Sequence, residues 1–188
     1  ELAVQIHDYI KNVDSPILLT NTIFSEFKFR LAEFGVDNKY YLQGILGELF
    51  RDDFYFSRDY ISKDPNVTSL YSTIVSFIRK YEYPVEKSVI AKHFIGVPEI
   101  VLNFATADPH IINYFGEYMH IDRLKLRQDE KDLLHTQINE LLSDGLTHTS
   151  RELYMYLNSS IPHLLQRCFV QFHFALFSLC ECLFADDY

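Results

Sequence analysis

Apolar residues recur at helical spacing along most of the chain, and twice that rhythm gives way to a short aromatic run. Leu2, Ile6, Tyr9, Ile10 and Val13 make one helical stripe. Ser15-Pro16 restarts the chain, since Pro suits the first turn of a helix, and Ile23, Phe24, Phe27, Leu31 and Phe34 continue the spacing. Gly35 is placed as a C-terminal cap. Asp37 or Asn38 caps the next helix, whose apolar face is Tyr41, Leu42, Ile45, Leu46, Leu49 and Phe50. Asp52-Asp53 then signals a turn, and Phe54 to Ile61, dense in aromatic and β-branched residues, predicts a strand pair. Lys63-Asp64-Pro65-Asn66 reads as a linker.

The pattern then starts again. Leu70, Ile74, Phe77, Ile78 and Tyr81 predict a helix over 70–81. Pro84 sets the start of a second, with Val85, Val89, Ile90 and Phe94 as its stripe, and Gly96 is the turn. Pro98 opens a third helix carrying Ile100, Val101 and Phe104. Ile111 to His120 predicts a second strand pair turning near Gly116. A charged amphipathic helix follows over 123–143, closed by Gly145. Thr149 or Ser150 caps Arg151 to Leu157, Pro162 opens another helix, and Phe169 to Phe184 reads as a last, buried one.

Self-alignment supports repetition. At an offset of 134, Leu49-Phe50-Arg51-Asp52-Asp53-Phe54 falls on Leu183-Phe184-Ala185-Asp186-Asp187-Tyr188, with Val36 on Val170 and Leu42 on Leu176. At an offset of 64, Gly96 to Val101 falls on Ser160 to Leu165, with Ile74 on Ile138. The expected organisation is three units, 1–64, 65–122 and 123–188, the last stopping before its strand pair. The chain opens on Glu1 rather than Met and stops in what reads as the start of a strand, so it is expected to be a segment of a longer protein.

Helices, a tight turn, another helix and then an aromatic strand pair: this order resembles the winged helix-turn-helix module, most clearly over 70–121. The fold class expected is mainly α with short β-hairpins, as tandem winged-helix-like repeats. The resemblance is to tandem modules of bacterial DNA-binding and regulatory proteins, and also to assembly factors that use winged helices only to bind protein. It implies a helix after the turn that enters the major groove and a wing that touches phosphate. In the middle unit that helix runs Pro98-Glu99-Ile100-Val101-Leu102-Asn103, without Arg or Lys. The first unit is the better reader. The candidate nucleic-acid contacts are Asn38, Lys39, Tyr40 and Gln43 on its helix, with Arg58 and Lys63 in and after its wing.

Charge weighs on that expectation. The formal net charge is −9, whereas affinity for duplex DNA comes largely from neutralising phosphates. Two functions are therefore carried forward. One is a transcription-regulator-like module that binds double-stranded DNA. The other is a protein–protein interaction scaffold, with Tyr60 and Tyr118 among the wing aromatics that face a partner. No enzyme activity, cofactor or metal is expected. No Gly-rich phosphate loop or Gly-x-Ser-x-Gly elbow occurs. Cys180 and Cys182, two apart on a helix, point in different directions and read as core-facing or partner-facing thiols. Asp52-Asp53 and its echo Asp186-Asp187 read as turn formers rather than catalytic carboxylates. With three Cys and no apolar run of membrane-spanning length, a reducing, cytoplasmic setting and no membrane contact are expected.

Overall fold

The computed structural model describes residues 1–67 and 69–184. It bears out the mainly helical reading with short hairpins. In chain order the first run is α1 (Leu2–Asn12), β1 (Ile17–Leu19), α2 (Thr20–Glu26), α3 (Lys28–Glu33), α4 (Lys39–Phe50), β2 (Tyr55–Phe56) and β3 (Tyr60–Ser62). The second is α5 (Leu70–Ile78), β4 (Val85–Glu86), α6 (Lys87–His93), α7 (Glu99–Thr106), β5 (Ile111–Asn113) and β6 (Glu117–His120). A 3₁₀ turn (Ile121–Leu124) precedes α8 (Gln128–Leu142), α9 (Ser150–Ser160), α10 (Pro162–Arg167) and α11 (His173–Phe184). By contact the chain divides into two units, Glu1–Ile74 with Ser88–Leu102, and Val75–Lys87 with Asn103–Tyr188.

Both expected strand pairs form, and each gains a third strand that periodicity did not show. The sheets run β1-β3-β2 and β4-β6-β5, all antiparallel. Residues after Pro16 and Pro84, expected to begin helices, are instead the strands β1 and β4. A proline is tolerated at a strand's margin because it lacks only the donor. Three- and two-residue strands are too short to set a period of their own. Ile17, Leu18 and Leu19 are all buried, with Leu18 opposite Ile61.

In the first unit Ile6 and Ile10 of α1, Leu18, Ile23, Leu31, Val36, Leu42, Leu46, Phe54 and Ile61 form one core. Gly35 closes α3 at φ +70, its N–H donating to the Ala32 carbonyl and that of Val36 to the Leu31 carbonyl. That pair of bonds is a Schellman cap, which favours a residue without a Cβ. Gly96, at φ +81 between α6 and α7, makes the corresponding reversal.

In the second unit the core joins Ile112 and Met119 of the sheet, and Tyr114 of its hairpin turn, to Leu134, Leu157, Leu165, Leu176 and Leu179 of the later helices. Phe115 and Gly116 both take positive φ, and the Tyr114 N–H donates to the Glu117 carbonyl (2.7 Å). This is the primed two-residue turn that matches strand twist. Thr149 and Glu152 cap α9 reciprocally, the Thr149 hydroxyl accepting from the Glu152 N–H and the Glu152 carboxylate from the Thr149 N–H. The amphipathic helix expected over 123–143 is shorter, since 121–124 wind as a 3₁₀ turn. The helix expected from Phe169 begins only at His173. Phe169 itself sits at φ 58, with its N–H on the Gln166 carbonyl and that of Val170 on the Leu165 carbonyl.

The offset of 134 survives in three dimensions. It carries α3 onto α10, Gly35 onto Phe169 and α4 onto α11 with matching ends. The offset of 64 does not reach as far. It puts Gly96 on Ser160, whereas the left-handed turn before α11 lies at Phe169.

Gly35 and Gly96 predict an ordered pair of outcomes. A Cβ on Gly35 meets nothing, so Gly35→Ala costs only the left-handed strain of about 1–2 kcal/mol. A Cβ on Gly96 runs into the Thr22 hydroxyl of α2, so Gly96→Ala is expected to lower the denaturation midpoint further than Gly35→Ala in parallel urea titrations.

Candidate functional site

The residues expected to contact nucleic acid are mostly engaged within the first unit. Asn38 is the N-cap of α4, its Oδ1 accepting from the Tyr41 N–H (2.9 Å), and its amide donates to Asp37. Lys39 pairs with Asp59 in the turn between β2 and β3 (2.8 Å), which raises its pKa and lowers that of Asp59. Its ammonium also stands 4.9 Å from the centre of the Tyr40 ring. The Gln43 amide donates to the Ser57 carbonyl, and its oxygen accepts from the Thr20 hydroxyl (3.2 Å). Thus α4 is tied to the hairpin by side chains whose polarity suggested base reading.

Lys63 lies apart from this group, beyond the far end of β3. Its ammonium donates to the Lys11 and Val13 carbonyls at the end of α1, where the helix dipole favours a cation. Burial pushes its pKa down, partly opposed by Asp14. Asn38, Tyr40 and Arg58 are the exposed members of the expected set, and of these Asn38 is held by its cap.

The wing aromatics divide differently from expectation. Tyr118, expected to face a partner, is buried, because its place on the central strand β6 turns it into the unit. Tyr60 is half-buried. Tyr114 is buried with its hydroxyl donating to the Cys168 carbonyl (2.7 Å), and burial raises its pKa. The exposed members are Tyr55 on β2 and, most of all, Phe115, 80% accessible at the tip of the β5–β6 turn.

Phe115 stands at the rim of a concavity in the second unit, about 1140 Å³ in volume. Its ring stacks near Phe174 of α11, 6.5 Å between centroids. Phe174 and Phe177 are 59% and 56% exposed, while Ala175, Leu176 and Leu179 on the other face of α11 are buried. The helix is therefore apolar on both sides, one in the core and one lining the groove. Ser178 fixes α11 against the sheet by accepting from the N–H of Asn113 on the edge strand β5 (2.9 Å). An apolar run of this length predicts a wholly buried helix, and the exposed face departs from that. The repeat of Phe174, Phe177 and Phe184 at intervals of three and seven was the available signal for a second face.

Cys180 and Cys182 line the same groove, half-buried, and burial raises both thiols to about 12. Neither is a thiolate near neutral pH, so they contribute apolar surface rather than nucleophiles. Among the described residues no cluster of His, Cys, Asp and Glu could hold a metal ion, and no helix is long and apolar enough to cross a membrane. Asp53 ends α4, its N–H on the Phe50 carbonyl, and faces His7 at 3.4 Å, a turn and contact role as expected. Its echo Asp186-Asp187 lies outside the described residues.

A buried imidazole ends β6. His120 stacks on His110 with centroids 5.9 Å apart, and its Nδ1 accepts from the Asp122 N–H (3.2 Å). Burial lowers its pKa, reinforced by Arg79 and His110 and opposed by Asp122 and Asp108.

No family model, curated protein or solved structure matches the chain.

Because the folded pKa of His120 lies below the unfolded value, protonation favours the unfolded state. The stability it contributes is present above about pH 6.5 and is lost as pH falls through the folded pKa. His120→Asn keeps an acceptor near Nδ1 and removes the titration. Denaturation midpoints measured from pH 7.5 downward should fall less steeply for the variant than for the parent chain.

Proposed function

We propose that the chain is a non-enzymatic protein-interaction scaffold built of winged-helix modules, which docks partners through the helices that follow the left-handed turns at Gly35, Gly96 and Phe169. The element order supports the fold part of this reading. Helix, strand, one or two short helices, turn, helix and hairpin occur twice, each time with the first strand beside the last.

The observation that carries the functional part is what those post-turn helices expose. On α4 it is Tyr40, Tyr41 and Leu49; on α7, Ile100 and Phe104; on α11, Phe174 and Phe177. A groove-reading helix would carry cations and amides at such positions. Large apolar side chains left in water on a recurring element mark protein contact instead. The charge of −9 acts in the same direction, since it repels a phosphate backbone.

One feature favours the second reading, a transcription-regulator-like module on double-stranded DNA. Arg58 is exposed in the turn between β2 and β3, where a wing touches phosphate, in the same unit as exposed Tyr40.

The two readings separate in paired measurements. The scaffold predicts no binding of a labelled duplex at about 10 µM protein in low salt. It also predicts a stoichiometric protein partner that resists nuclease treatment. The DNA reading predicts salt-sensitive duplex binding, with a salt slope smaller by about 1 in Arg58→Ala. Duplex binding without a protein partner would overturn the scaffold.

A further inference from the structure

We infer that the groove of the second unit receives an amphipathic helix whose apolar face is flanked by Lys or Arg. The inference rests on the scaffold reading and names the partner of one of its surfaces.

Size and openness speak against a small ligand. At about 1140 Å³ the groove exceeds the usual range of small-molecule pockets, roughly 300–1000 Å³. A compact ligand is normally buried over most of its surface, yet Phe115, Phe174 and Phe177 are each more than half exposed. What fits is a rod laid along the groove. From Phe174 to Phe184, α11 supplies a wall about 15 Å long at 1.5 Å per residue. That length matches anchors at i, i+3, i+4 and i+7 of a partner helix.

Charge selects among rods. The carboxylates lining the groove are Asp108 and Glu181, while Asn103, Asn139 and Ser178 supply polar, uncharged atoms. Lys87 reaches the rim by donating to Asn103 (2.7 Å). The Asp108 carboxylate already accepts from the His110 N–H (2.8 Å), so the exposed Glu181 offers the more open acceptor for a partner's cation. A second copy of the chain, also at −9, approaches against like charge, and so does a nucleic acid.

The probe is a fluorescein-labelled peptide of about five helical turns, with Leu and Phe along one face and Lys elsewhere. Its control carries Glu in place of every Lys. Fluorescence anisotropy is expected to show the Lys peptide binding at least about ten-fold tighter, a gap that narrows with salt. Phe174→Ala/Phe177→Ala, at two exposed positions, is expected to weaken the Lys peptide at least about ten-fold. Its circular dichroism and melting temperature should match the parent. Phe29→Ala/Phe34→Ala, on exposed apolar residues of the first unit, should leave the affinity unchanged. Adding the Lys peptide should slow amide exchange in α11 and residues 114–117.

Equal affinity for the two peptides, binding of neither, or undiminished binding by the Phe174/Phe177 variant each overturns the inference. If that variant still retains the partner captured by the parent chain, the groove assignment fails while the scaffold stands. If the parent captures no protein, the scaffold itself fails.

Discussion

The chain reverses between α3 and α4, and again between α10 and α11, through a residue held at positive φ, and the helix that follows takes its position from that reversal. At Gly35 and at Phe169 the same two backbone bonds close the helix, and the next residue, Val36 or Val170, drops into the core. The following helix then begins at an equal distance, Lys39 or His173. A fixed exit and a buried anchor leave little freedom in the angle of that helix, so its outer face is presented by backbone geometry rather than by contacts of its own. This explains why the offset of 134 holds across two helices and the turn between them despite few identities. The bonds are main-chain, and only the φ value and one buried Val have to be kept.

Phe169 shows what keeping that geometry costs when Gly is absent. A non-glycine residue in the left-handed region carries about 1–2 kcal/mol of strain. The ring is positioned to offset it, edge-on to Tyr83 (6.0 Å) and to Tyr114 (6.3 Å). Tyr114 in turn donates to the carbonyl of Cys168, the residue just before the reversal. The turn before α11 is thus held by packing from the sheet, whereas Gly35 needs no such support.

Sequence reading found the parts whose signal is local. Both aromatic hairpins, the turns at Gly35, Gly96 and Gly116, and the cap at Thr149 each follow from a residue type with one strong preference. The strands β1 and β4 were hidden because they exist only by pairing with β3 and β6, residues far along the chain. The break before α11 was hidden because an aromatic occupies the left-handed position. The groove was hidden for a different reason. An all-apolar helix reads as buried, and only the surrounding elements reveal which face was left uncovered.

The polar residues near α4 illustrate the converse. Asn38, Lys39, Gln43 and Lys63 looked available because a sequence does not show where their hydrogen bonds go. Each satisfies a backbone group or an ion pair of its own unit, and releasing it to a base or phosphate would leave that group unmet. For the apolar residues the balance runs the other way. Phe174 and Phe177 are each more than half exposed, and removing their rings from water is favourable by roughly 25 cal/mol per Å². A surface whose polar groups are committed inward and whose apolar groups are left outward gains free energy by covering the latter. That asymmetry, more than the net charge, weights the post-turn helices toward protein rather than DNA.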